Sequence, residues 1–382
     1  MGRTQRLVFA IGLIWGLLPL LLGRHWIGLD LMRMDLGGMC EWRNLLFSGK
    51  PLWIAPHPGN GVPFAVDPLQ GVFYPIKWLY FWLPGYLSTD FQVAIHFAIA
   101  ASGAALLAKS FGLTGRNSAF FALIYLFSGT LIDLSRHSVY LFGGAWLPWV
   151  WAFVRLGRGS GTVFSLSMLL LGGDAFAWSW GAFIVCAEGV IASRPRSMKP
   201  FLWLGLSACI GALVWGPAWR ELSSGVRQSG FSIKTALSLS WDPVDIFGVL
   251  LPGVFRRGFF GEGSLWNWIH GGGVGAPWNE SPYLGIFAST AAVFYFLRAL
   301  IKREFLNPRY SVLLITFPLS LLFALGSHFL LSEPIYRAFP LLTNFRYPAK
   351  HWVILNLSSL LWLVTPSSPF DPAAKRVERI FF

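Results

Sequence analysis

Charge is scarce in this chain of 382 residues. Charged side chains make up 12% of it, against about a quarter in an ordinary soluble domain. Carboxylates are scarcer than cations, 17 against 30. Cysteine is nearly absent. Cys40, Cys186 and Cys209 are the three present; their spacing fits neither a zinc site nor a disulfide framework. Internal repeats and low-complexity tracts are missing. The glycine run Gly271-Gly272-Gly273-Val274-Gly275 lacks the Lys-Ser/Thr that completes a phosphate loop, so it reads as a flexible turn. The net charge of +13 is not gathered into a basic stripe, which argues against a nucleic-acid partner and for a topological role.

What the chain has in quantity is apolar sequence, at 55% hydrophobic residues. Leu7–Leu22, Leu202–Trp219 and Tyr310–Ser327 contain no charged residue at all. A hydrocarbon core about 30 Å thick takes about 20 apolar residues of helix, so these runs read as membrane spans. The first has a basic start, Arg3 and Arg6, but Gly23-Arg24-His25-Trp26 offers no small-residue cleavage site, and it reads as a retained span. The expectation is an all-α polytopic membrane protein with about ten transmembrane helices, near 7–22, 91–108, 118–132, 139–154, 162–173, 175–192, 200–219, 283–300, 310–326 and 350–365. They form a single transmembrane domain, 1–365, with outer loops 23–90, 220–282 and 327–349 and a cytoplasmic basic tail, 366–382. The longest outer loops join spans 1–2 and 7–8, and both termini face the cytoplasm.

Charge counting supports that walk. The segments placed inside hold 16 Lys/Arg against three acids, those placed outside 14 against 13. Basic inner loops are the positive-inside pattern. Nearly all of the carboxylates and histidines therefore collect on the extracytoplasmic side, where any chemistry would take place. Residues 72–87 are apolar but interrupted by Pro75, Lys77 and Pro84, which suits a helix lying on the outer membrane surface better than a span.

The outer carboxylates are the first candidates for chemistry. Asp30 and Asp35 follow the first span closely and read either as solvated interface charges or as functional acids. Asp67, in Val66-Asp67-Pro68, reads either as a turn cap or as a further acid. Asp133, Arg136 and His137 share a face if one helix runs through all three, as a local ion-pair cluster or a polar site. Asp174 sits at the tip of a tight hairpin between spans five and six, where an acid near the membrane is costly and usually paired or functional. Glu188 lies deeper and reads as an acid snorkelling towards Arg194. Among the basic residues, Arg227, Arg346 and Lys350 are placed to hold either an anionic lipid headgroup or a lipid-linked phosphate.

One set of fragments resembles a known family. Asp35 followed by Trp42-Arg43-Asn44-Leu45-Leu46-Phe47-Ser48-Gly49-Lys50-Pro51-Leu52-Trp53, with Asp67-Pro68-Leu69-Gln70 and Phe73-Tyr74-Pro75, is similar to the opening of YfhO-like bacterial membrane proteins of the GT-C glycosyltransferase superfamily. Further echoes follow in order, among them Phe127-Ser128-Gly129, Ala145-Trp146-Leu147-Pro148, Gly216-Pro217-Ala218-Trp219 through Arg227, Tyr283-Leu284-Gly285 and Phe345-Arg346-Tyr347-Pro348-Ala349-Lys350. The resemblance implies a membrane glycosyltransferase of the bacterial inner membrane. It would move a sugar from a polyprenyl-phosphate donor to an extracytoplasmic acceptor, with Asp35 as general base. Arg227, Arg346 and Lys350 would hold the donor phosphate, and Glu221, Arg136 and His137 would support them. Asp30, Asp67 and Asp174 are alternative acids. No cofactor beyond the lipid-linked sugar is implied, although a divalent metal is compatible with it. Lys350 stands where the family usually has arginine, and Asp174 where it more often has a histidine or small polar group. The alternative reading is a non-catalytic GT-C-like subunit that docks to a larger membrane protein complex. A transporter is disfavoured by the small number of buried ionisable residues.

Overall fold

The computed structural model describes residues 2–26, 36–49, 68–192, 198–223, 231–241, 243, 248–249, 283–302 and 308–364. Every secondary-structure element among them is helical. Four helices are long and apolar enough to cross a membrane: Arg3–Leu21, Gly85–Ser110, Lys199–Gly216 and Tyr310–His328. Each of the ten expected spans has a helix at its place, but the others are shorter or less apolar. The third is interrupted: one helix ends at Leu126 and another begins at Gly129. By its Cα packing the chain divides into two units, one built from 1–110, 118–126 and 134–228, the other from 111–117, 127–133 and 229–382.

The first unit is organised around α4 (Gly85–Ser110), which is buried along nearly its whole length. α1 (Arg3–Leu21) packs along one side and α7 (Ser138–Arg155) along the other. Small residues make the first contact close. A methyl group on Gly12 would come within 2.7 Å of the Phe97 carbonyl oxygen, and one on Gly16 within 2.3 Å of the Ala94 Cα. Glycines four apart on α1 thus face the alanines Ala94 and Ala98, four apart on α4. Such pairs hold helices together where hydrocarbon provides no hydrophobic force between them, because backbone approach maximises dispersion. On the α7 side, Gly103 makes room for the Trp149 ring, whose indole N–H donates to the Ile99 carbonyl at 2.8 Å.

Where α1 ends, polar chemistry takes over. The buried Asp90 carboxylate, in the second turn of α4, accepts from the Trp26 backbone N–H at 2.9 Å and meets His25 Nδ1 at 2.6 Å. The Trp26 indole donates to the Gly16 carbonyl at 2.6 Å. Beyond α7 follow α8 (Gly159–Leu171), α9 (Ala175–Ala187) and α10 (Lys199–Ser223). Glu188, at the end of α9, binds Arg155 at 2.7 Å and accepts from the Trp151 indole at 2.9 Å. The acid expected to reach for Arg194 is thus bonded to a cation of α7; Arg194 itself lies outside the described residues.

Residues 72–82 do form helical pieces, a turn at Pro75–Trp78 and α3 (Leu79–Trp82), but they are not simply laid on a surface. Tyr74, Lys77 and Tyr80 are buried, while Trp78 and Trp82 face outward. α2 (Gly37–Phe47) closes over them, with Met39 and Trp42 packed against Val72 and Tyr80.

In the second unit, α12 (Ile286–Ile301), α13 (Pro308–Leu325) and α15 (Trp352–Leu361) pack together. The chain before them enters through α11 (Ile233–Ala236), and α14 (Ser332–Ala338) lies between α13 and α15. The Trp241 and Trp352 rings lie 4.2 Å apart, and the Trp241 N–H donates to the Ala324 carbonyl at 2.9 Å. A buried Asn356 on α15 donates to Thr130 Oγ1 on α6 (Gly129–Leu134).

Gly16→Val should destabilise the first unit by about 2 kcal/mol or more, because the added methyls meet backbone. Gly205→Val, whose added Cβ meets nothing within 4 Å, is the matched control and should leave the melting temperature in detergent unchanged.

Candidate anion-binding site

At the entry to α15 the second unit places two cations, Arg346 and Lys350, beside Tyr347. Tyr347 is one of two non-glycine residues with positive φ among the described residues, at φ 71° and ψ 80°. This left-handed conformation is costly for a bulky residue and has to be held by its surroundings. Here the Tyr347 N–H donates to the Ala236 carbonyl at 3.1 Å, and its own carbonyl accepts from the Lys350 N–H at 3.0 Å. Pro348 then fixes the next turn, Pro348–His351, before α15 begins.

Two cations flank the Tyr347 ring. The Arg346 guanidinium carbon lies 4.8 Å from its centroid and 4.7 Å from that of Phe231. Lys350 Nζ lies 5.1 Å from the Tyr347 centroid, on a side chain that is itself buried. Aromatic faces stabilise a cation without using its hydrogen-bond donors. The half-buried Arg346 makes no ion pair or hydrogen bond to a described residue. Its five N–H donors in a fixed fork match the oxygens of a phosphate or carboxylate.

The first unit holds a different arrangement, one that sequence reasoning missed. The Trp146 indole donates to Tyr74 Oη at 2.7 Å, Tyr74 Oη meets His96 Nε2 at 2.7 Å, and His96 Nδ1 meets the Gln92 carbonyl at 2.6 Å. A carbonyl only accepts, so His96 carries its proton on Nδ1 and its Nε2 accepts the hydrogen bond donated by the Tyr74 hydroxyl. Phe142 stacks on both rings, at 4.5 and 4.3 Å. The buried Lys77 donates to the Gln70 carbonyl at 2.6 Å, with its Nζ 5.6 Å from the Phe142 centroid. Burial pushes the Tyr74 phenol up. This network fastens the 70–78 segment to α4 and α7. The Phe73-Tyr74-Pro75 motif marked the place, but nothing in the sequence pairs Tyr74 with a histidine 22 residues on.

The expected site residues fall unevenly. Asp30, Asp35, Asp67 and Arg227 lie outside the described residues. Glu221 is in the last turn of α10, its side chain outside the description. Asp174 is buried and is the N-cap of α9, accepting from the Ala177 N–H at 2.9 Å. The facing helix is cut away for it at Gly143, where a methyl group would meet Asp174 Oδ2. Its burial therefore has a structural cause, since a cap satisfies a helix N–H and favours negative charge there. The common helical face expected for Asp133, Arg136 and His137 is not formed: α6 ends at Leu134, and His137 is the N-cap residue of α7. Arg346 and Lys350 are the predicted pair that the structure brings together. Among the described residues, no three His, Cys, Asp or Glu side chains converge to hold a metal ion.

No family model, curated protein or solved structure matches the chain.

Tyr74→Phe leaves the Trp146 indole and His96 Nε2 without their partner and should destabilise the first unit by about 1–3 kcal/mol. The raised Tyr74 phenol also gives a pH signature. The hydroxyl keeps its proton in the folded state and releases it near pH 10 once unfolded. Its contribution is therefore complete below pH 10 and is lost as pH rises above it. Alkaline melting curves should fall less steeply for Tyr74→Phe than for the wild type.

Proposed function

We propose that the chain is a membrane glycosyltransferase that takes a sugar from a polyprenyl-phosphate donor and passes it to an acceptor on the extracytoplasmic side. The observation that carries this reading is the Arg346–Lys350 pair around Tyr347, a costly backbone conformation supporting two cations beside one ring. A phosphate leaving group needs such charge where its own negative charge develops. The four membrane-length helices agree with a substrate that arrives through the bilayer.

In this mechanism Asp35 accepts the proton of an acceptor hydroxyl while that oxygen attacks the anomeric carbon. The bond to the phosphate oxygen breaks, and the lipid phosphate departs with both electrons. Arg346 and Lys350, with Arg227, neutralise it, so it needs no acid to leave. General-base catalysis of this kind is worth about 10²–10⁴-fold in rate. Glu221, Arg136 and His137 support the acceptor and donor positions. The enzyme works in the bacterial inner membrane with its termini in the cytoplasm.

A second reading, a non-catalytic membrane subunit docked to a partner complex, is favoured by one observation. Asp174, an alternative acid, is already committed to capping α9.

Transfer from a polyprenyl-phosphate sugar by the protein in proteoliposomes tests the proposal. Asp35→Asn should lower transfer by about 10²-fold or more at unchanged membrane expression. Equal transfer by this variant would remove Asp35 from the mechanism. Arg346→Ala should weaken binding of polyprenyl phosphate by about tenfold, whereas Arg337→Ala, at an exposed pair with Glu333, should not. If both arginine variants bind like the wild type, the phosphate role of Arg346 is wrong.

A further inference from the structure

We infer that α12 crosses the bilayer as a span too short for it, that phospholipid thins along its exposed face, and that Arg298 and Lys302 hold the lipid phosphates drawn to its last turn. The helix has 16 residues, Ile286–Ile301, and is about 24 Å long. A hydrocarbon core is about 30 Å thick, and tilt only shortens the helix's projection across it. The helix beside it is longer. Phe317 of α13, whose ring lies 4.7 Å from that of Phe296, belongs to a membrane-length segment of 19 residues, Tyr310–His328.

The chain fixes both ends of α12. Before it, Gly285 turns at φ 98°, Leu284 is buried, and the Tyr283 carbonyl accepts from the Gly129 N–H at 2.7 Å. The backbone therefore turns inward at Ile286 instead of prolonging the helix. After it, the exposed Lys302 is the C-cap residue. Between these ends one face is apolar. Phe287, Val293, Phe294, Leu297 and Ile301 are exposed, while Ser289, Ala292 and Ala299 are buried against the unit. Phe287 and Ile301 are 89% and 82% exposed, so the uncovered stripe runs the whole length of the helix.

The cations say what covers that stripe. The half-buried Arg298 lies one turn before the end, and its guanidinium makes no ion pair or hydrogen bond to a described residue. The Lys302 ammonium, four residues on and on the same side, makes none either. A second copy of the chain packed here would have to find partners for both or bury them unpaired, which is costly. Phospholipid brings acyl chains to the stripe and phosphate oxygens to the cations, and the guanidinium fork fits those oxygens. A bilayer meets a short span by thinning and by letting flanking residues snorkel. Both responses bring phosphates towards Arg298.

Nitroxide depth measurements test this on the full-length protein, with Cys40, Cys186 and Cys209 replaced, in dioleoylphosphatidylcholine vesicles. Phe287→Cys, Phe294→Cys and Ile301→Cys put labels at the two ends and the middle of the exposed face. Collisions with oxygen and with a water-soluble nickel chelate give each label's depth below the phosphate side of the hydrocarbon. The two end labels are about 21 Å apart along the helix, so in an unthinned core their depths sum to about 9 Å or more. Thinning should bring that sum below about 3 Å, with label 294 about 10 Å deeper than either end. Arg298→Gln with Lys302→Gln should raise the sum by about 5 Å, one helical turn, whereas the charge-keeping Arg298→Lys with Lys302→Arg should not. A sum near the unthinned value would overturn the thinning. A label at 294 as shallow as the ends would mean a helix lying on the surface, and labels shielded from both colliders would mean a second copy on this face; either overturns the crossing span in lipid. A sum unchanged by the double glutamine variant would remove the phosphate role of the two cations.

Discussion

The contact between α1 and α4 is the constraint on which the first unit depends. Two glycines on one helix meet two alanines on the other at distances that leave no room for a methyl group. Everything placed later is referred to α4. Asp90 near its start holds the chain leaving α1, His96 in its middle receives Tyr74, and Gly103 near its end receives Trp149. A helix buried along most of its length cannot shift without disturbing all of these, so α4 fixes the register of its neighbours. In hydrocarbon such close contacts and buried hydrogen bonds are what hold helices together.

The polar groups of this greasy chain divide into those with a structural occupation and those held ready. Asp90, Asp174, Glu188, Tyr74 and His96 are all bonded into the fold. Arg346 differs, because it is steadied by two rings and bonded to no described residue. That contrast, rather than the number of charges, singles it out. It also narrows the functional reading to a phosphate held in the second unit.

Much of the helical layout was legible from hydropathy and basic loops alone. Every expected span has a helix at its place, because long apolar runs have few other ways to satisfy their backbone. The break at Phe127-Ser128 inside the third was not foreseen, although the small polar stretch Ser128-Gly129-Thr130 marks the place. Arg346 and Lys350 were singled out with Arg227 as cations for a phosphate; that the two sit beside the Tyr347 ring is seen only in the structure. The Tyr74–His96–Trp146 chain was not foreseen, because its members come from three separated segments and meet only through packing. Glu188 shows the same limit: sequence distance suggested Arg194, but the cation that faces it across the helix pair is Arg155.

The sidedness of the chain underlies the whole functional account and is directly measurable. In a background with Cys40, Cys186 and Cys209 replaced, single cysteines at two exposed positions, Arg337→Cys and Lys302→Cys, can be probed in intact cells with a membrane-impermeant maleimide. An outward-facing phosphate site requires labelling at 337 in intact cells and at 302 only after permeabilisation. Labelling at 302 with protection at 337, or equal labelling of both in intact cells, would contradict it.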